Sequence, residues 1–111
     1  MPKPSRDIIH MFAIAGGAIA GATPPILDIP ALAAEEVTMV IKLGKEFGVD
    51  VDKSTATGIL TACGCTVVGS AIFEAANLGY PFTIPEKIVI AAGVIEAAGH
   101  LVYNYFEDKY G

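Results

Sequence analysis

Charge is the property that this sequence has least of. Charged residues make up 17% of the chain and hydrophobic residues 53%, whereas soluble domains usually carry roughly 25% charged residues. Seven Lys and Arg stand against twelve Asp and Glu, which leaves a formal net charge of −5. The basic residues are scattered, so they form no positive stripe for phosphates or anionic lipid. We therefore expect no nucleic-acid partner, and any membrane contact should be hydrophobic.

Cysteine is also scarce, and the chain shows no pattern typical of catalysis. Cys63 and Cys65 are two residues apart in an apolar run, so on a helix they point to nearly opposite sides and cannot bridge each other. Apolar surroundings raise a thiol pKa, which disfavours a nucleophilic role. The glycines at 16 and 17 lack the Lys-Ser/Thr of a phosphate-binding loop. We predict a non-catalytic, cytoplasmic protein without a cofactor.

Proline and glycine divide the chain into four helical segments joined by short loops. No long run shows the alternation typical of strands. Because short loops between long helices favour antiparallel neighbours, we predict one all-α domain over residues 1–111, an antiparallel four-helix fold with short proline/glycine loops. The helices are predicted at about residues 5–22, 30–47, 54–78 and 84–109.

Capping residues support these boundaries. Asp28 is a candidate cap for the second helix, and Gly48 can take the left-handed conformation that ends it. The third helix is expected to begin near Asp52. The last is expected to open at Thr83, with Pro85 in its first turn.

The second helix is predicted to be an amphipathic surface helix. Val37, Val40 and Phe47 fall on its apolar face, and Glu35 and Lys42 fall on the opposite, polar face. The third and fourth helices differ, because apolar residues cover most of their circumference. Residues 55–73 carry no charge at all. Two such helices at the edge of a bundle leave apolar surface uncovered, which indicates an interface.

Small residues at four-residue spacing indicate where helices could approach closely. Gly17 and Gly21 form a GxxxG pair, and Gly58, Gly69 and Gly93 have small residues at the same spacing. Chance produces such pairs in a glycine-rich chain, so packing within one chain and packing between chains both remain open at this point.

A polar stripe is the remaining candidate for chemistry. Glu96 and His100 share one helical face, a spacing at which two side chains can hold a metal or a proton, and Glu74 on the third helix could join them. A di-iron bundle needs Glu-x-x-His on two helices, and that pattern is absent. We predict a solvated or hydrogen-bonded stripe and no metal. His10 is expected to make only a local contact, with Asp7 three residues earlier.

One segment resembles a known domain. It contains Asp28-Ile29-Pro30-Ala31-Leu32, then Met39-Val40-Ile41, then Gly44-Lys45-Glu46-Phe47-Gly48-Val49-Asp50. This order resembles a helical domain of unknown function attached to bacterial Era-like GTPases, and is similar to a segment of the EcsC family associated with transporters. The resemblance covers about a quarter of the chain and implies membrane-proximal or partner-binding behaviour, with no catalytic residues to carry over.

Taken together, the sequence predicts an interaction module that acts through self-association or a protein partner, with the third and fourth helices at the interface. Attachment to the inner face of a membrane stays open. The main alternative is a membrane-inserting or pore-forming protein in which Glu74, Glu96 and His100 line a polar interior. A weaker alternative is a bundle that binds a small apolar ligand.

Overall fold

The computed structural model describes residues 1–22, 25–65 and 83–111. Within these ranges the chain forms four helices and no strand, which confirms the all-α prediction. The helices are α1 (Lys3–Ala22), α2 (Pro25–Glu46), α3 (Lys53–Ala62) and α4 (Ile84–Tyr110).

The α1–α4 pair and the α2–α3 pair run antiparallel, as predicted. Along the α1–α4 pair, Ile9 meets Gly99 near one end and Gly21 meets Ile84 near the other. The groove between α2 and α3 is lined at one end by Thr38 with Lys53, and at the other end by Ala33, Glu36 and Cys65.

The core lies where α1 and α2 face α4. Its α4 side is a line of buried residues three or four positions apart: Ala91, Ile95, Ala98, Val102 and Phe106. That spacing keeps one stripe of a helix turned inward. At the far end of α2, Phe47 packs against Tyr103 and Phe106 with ring centroids 5.4 and 5.7 Å apart. Aromatic contacts at these separations add to burial in fixing the two helices together.

Capping explains the boundaries that the sequence predicts correctly. The Asp52 carboxylate accepts a hydrogen bond from the Thr55 amide at 2.7 Å, and the Thr83 hydroxyl accepts one from the Glu86 amide at 3.3 Å. At the end of α2, Gly48 has φ +74°, and the Val49 amide donates to the Gly44 carbonyl at 2.9 Å. This glycine-centred ending satisfies carbonyls that a helix otherwise leaves unpaired.

The cap at Asp52 leads to a first prediction. Asp52→Ala is expected to lower the free energy of unfolding by about 1 kcal/mol, because the first turn of α3 loses its side-chain acceptor. Asp50→Ala, which removes an exposed carboxylate just outside the helix, should change it by less than about 0.5 kcal/mol. Urea denaturation measures both, and equal losses would contradict a capping role.

Two predicted helix boundaries are wrong. α2 begins at Pro25, so Asp28 lies inside the helix and is not its cap. The helix predicted across 54–78 ends instead at Ala62, because Gly64 takes a left-handed φ of +72°. The Cys65 amide donates to the Leu60 carbonyl at 3.0 Å, which closes the helix end. Residues 66–78 of that prediction lie outside the described residues.

The buried face of α2 is wider than the predicted one: Val40 is fully buried as predicted, and further residues join it. Leu32, Met39 and Leu43 are fully buried, whereas Val37 is only half-buried. Glu35, predicted on the solvent face, is 9% exposed, and Glu36 is 1% exposed. The reason is that α2 contacts α1, α3 and α4, so its buried arc is wider than that of a surface helix.

Candidate functional site

Large apolar side chains remain exposed on α1 and on the first half of α4. We call this surface the outer face and define it by Met11, Ile14, Ile84, Ile88 and Val89. Ile14 is 74% exposed and Val89 is 69% exposed. Ile88 contacts both Gly17 and Gly21 of α1, so the α4 part of the outer face packs directly against α1.

The outer face differs from the predicted interface in one of its two helices. α4 carries exposed apolar residues, but α3 buries its large apolar residues Ile59 and Leu60. Within the part of the chain that the structure describes, α1 takes the place predicted for the third helix. The sequence does not predict the exposed apolar surface of α1, because this helix is rich in Gly and Ala and the exposure of Met11 and Ile14 depends on how it packs.

The predicted interface glycines fall into two groups. A Cβ atom built on Gly17 lies 3.1 Å from the Ile88 carbonyl oxygen, and one built on Gly21 lies 2.9 Å from Ile88 Cδ1. This GxxxG pair therefore packs within the chain, against α4. Gly58 and Gly93 have open space where a Cβ would stand, and Gly69 lies outside the described residues.

Two further glycines allow close packing and were not predicted. A Cβ on Gly99 would lie 2.7 Å from Ile9 Cγ2, and one on Gly16 would collide with Ile95 Cδ1. A signal for Gly99 was present in the sequence, since it follows Ile95 by four residues and precedes Val102 by three, along the buried line of α4.

The polar stripe makes a contact that the sequence did not predict. His10 Nδ1 lies 2.8 Å from Glu96 Oε1, across α1 and α4. The expected local contact of His10 with Asp7 is therefore wrong, and Glu96 pairs across helices rather than with His100, which is exposed. Glu74 lies outside the described residues. No group of three His, Cys, Asp or Glu side chains in ranges 1–22, 25–65 and 83–111 could hold a metal ion.

Exposed charged residues lie at both ends of the α1–α4 pair. Lys3 and Arg6 are exposed at the start of α1, and Glu86 is exposed at the start of α4. Because the two helices are antiparallel, these charges lie at opposite ends of the α1–α4 pair. The apolar residues Ile14, Ile88 and Val89 lie between them.

Burial perturbs several ionisable groups of the core. Burial and repulsion from Glu36 raise the pKa of Glu35 to about 7, partly offset by the backbone of Gly16. Burial also raises the pKa of Cys63, and it raises that of Cys65 to about 11 with help from Cys63 and Glu36. Both thiols are free.

These thiols should react slowly, which gives a second prediction. At pH 7.5 we expect iodoacetamide to modify Cys65 at least tenfold more slowly in the folded chain than in urea, and Cys63 more slowly to a smaller degree, because partial burial suppresses the reactive thiolate. Mass spectrometry of timed, quenched samples measures the rates. Equal rates in the folded and unfolded chain would contradict the burial of these thiols.

One helix has the length and composition to cross a membrane. This helix is α4, and about a third of its most apolar window (33%) is buried inside the protein. Core helices of soluble proteins pass the same test, so its length and composition alone do not decide where α4 lies.

The residues of the family-like segment have structural positions in this fold. Leu32 and Met39 are fully buried in the core, Phe47 belongs to the aromatic contacts with α4, and Gly48 ends α2 with its positive φ. Asp28 and Pro30 lie within α2. The chain matches no protein-family model, no curated protein and no solved structure.

Proposed function

We propose that this chain is a non-catalytic interaction module that works by self-association, with two copies burying the outer face against each other. The observation that carries the proposal is the exposure of Ile14 and Val89 beside the partly exposed Ile88. Covering one such side chain contributes roughly 1.5–3 kcal/mol. Contiguous exposed apolar surface of this kind typically marks an interface.

The charges at the ends of the α1–α4 pair favour a second copy as the partner. In a two-fold dimer the same surface meets itself in reversed orientation. Lys3 and Arg6 of one copy then approach Glu86 of the other, at both ends of the interface. Such complementarity steers association and fixes its register, while the central apolar residues supply most of the affinity.

Insertion of α4 into a lipid membrane is the second candidate. Its support is the length and apolar composition of α4, together with the membrane-proximal behaviour implied by the resemblance to the GTPase-attached domain. Glu96, paired with His10, lies near the middle of α4. Carrying these two polar side chains into hydrocarbon is costly unless they face a protein interior, so we favour self-association at the cytoplasmic side.

Fractionation separates the two candidates. The full chain is expressed without detergent, and its distribution is measured after ultracentrifugation, with and without vesicles of neutral phospholipid. Self-association predicts recovery in the supernatant in both cases, with a gel-filtration volume smaller than that of a monomer. Recovery only in the membrane or vesicle pellet would favour the lipid candidate and contradict our proposal.

A further inference from the structure

A carboxyl group is buried in the middle of α2. Glu35 is 9% exposed, and both of its carboxylate oxygens are shielded from solvent without a well-formed hydrogen bond; the backbone of Gly16 is the polar group that partly offsets the cost of a charge there. Glu35 is far from both ends of α2, so the helix dipole stabilises a negative charge there only weakly. An unpaired carboxylate in such surroundings is strongly disfavoured relative to the neutral acid.

Glu35 lies where three helices meet. Its Oε1 is 3.4 Å from the position of a Cβ on Gly16 of α1, and Ile95 of α4 reaches the same glycine. Gly16 has no side chain, which leaves room for both neighbours. A change in the size or hydration of this carboxyl group therefore bears directly on the packing of α2 against α1 and α4.

Within the described residues, no cationic side chain forms a hydrogen bond with the Glu35 carboxylate. On α2 its neighbour is the buried Glu36, which acts to repel a second negative charge. α1 presents the backbone of Gly16, and α4 presents Ile95. The nearest titratable groups along α4 are Glu96, which pairs with His10, and the buried Lys87, about two turns earlier. After α3, Cys65 faces Glu36.

We propose that Glu35 is a proton-operated latch between α2 and the α1–α4 pair. The neutral carboxyl keeps the three helices packed, and loss of its proton draws water to the carboxylate and loosens α2. This device is separate from the outer face, because Glu35 faces inward. The latch and self-association can therefore fail independently in experiments.

The direction of the pH effect follows from linkage. The pKa of Glu35 is about 7 in the folded chain against 4.5 for the free side chain. Between these values the folded chain binds more protons than the unfolded chain, so stability falls as pH rises. The extra stability is fully present below pH 4.5 and is lost once the pH passes about 7.

Thermal unfolding of three proteins tests the latch. Between pH 5 and pH 8 the wild type is expected to lose roughly 10 °C in Tm. This value comes from converting the pKa shift of Glu35 into a change in unfolding free energy and multiplying it by the usual change in Tm per kcal/mol for a small domain. Glu35→Gln, which is neutral at every pH, should show a much smaller loss and a higher Tm than the wild type at pH 8. Glu46→Gln, a matched change at an exposed position of α2, should follow the wild type.

A Glu35→Gln protein with the same pH dependence as the wild type would overturn the proposal. Hydrogen exchange in the wild type gives a second test that needs no variant. The protection factors of the α1 amides around Gly16, which are corrected for intrinsic exchange rates, should be at least tenfold lower at pH 8 than at pH 5. Unchanged protection would also overturn the latch. Neither readout depends on dimer formation when the samples are compared at one concentration and their mass is checked.

Discussion

Gly99→Ala is expected to destabilise the folded chain by about 2 kcal/mol, although alanine is the better helix former. A Cβ at this position lies 2.7 Å from Ile9 Cγ2, 2.8 Å from Cγ1 and 3.2 Å from Cβ. Ile9 is 1% exposed and branched at Cβ, so it cannot swing aside. α1 and α4 must then move apart, and overpacking of this kind typically costs 1–3 kcal/mol.

Gly93→Ala is the matched control, because it makes the same change on the same helix. A Cβ at Gly93 meets no atom within 4 Å, so the only effect should be the gain in helix propensity, about 0.5–1 kcal/mol of added stability. Denaturant unfolding of both variants measures the difference. Changes of the same sign and size would contradict the close contact between α1 and α4.

Ile14→Glu is expected to weaken self-association by at least about 100-fold in Kd, because both copies of the dimer carry the change. The side chain is 74% exposed in the single chain and is covered only in the proposed dimer, where it contributes roughly 1.5–3 kcal/mol. A glutamate there must also lose its hydration when the interface forms. Because Ile14 contributes little to the core, folding should be nearly unaffected, and circular dichroism checks this.

Thr38→Glu provides the control for the added charge. Thr38 is exposed on α2, away from the outer face, and its hydroxyl donates only to the Ala34 carbonyl of its own helix. Sedimentation velocity over a concentration series gives Kd for the wild type and both variants. If Ile14→Glu and Thr38→Glu weaken association equally, net charge rather than the outer face controls it.

Local signals in the sequence predict the helix ends well where a capping side chain or a glycine acts within one turn. Asp52, Thr83 and Gly48 are examples, since each works through atoms three to five residues away. The early end of α3 is not predicted, because the sequence does not show which glycine ends the helix. Gly58, Gly64 and Gly69 are alike in the sequence, and only the fold decides that Gly64 takes the left-handed conformation.

Contacts between distant residues could not be predicted in the same way. His10 and Glu96 are far apart in the chain, and their contact depends on the register of α1 against α4. Because carboxylates are rarely buried, the sequence predicts Glu35 on the solvent face, and it gives no reason to expect Glu36 in the core. The two glutamates interrupt the apolar line through Leu32, Met39 and Leu43, which concealed the true inner face of α2.

The molar mass of the wild-type chain in detergent-free buffer tests the central claim most directly. Light scattering across a concentration series should show a mass that approaches twice the 11.5 kDa of one chain as concentration rises. A mass that stays at one chain throughout the series would mean that the outer face remains hydrated, and it would contradict self-association.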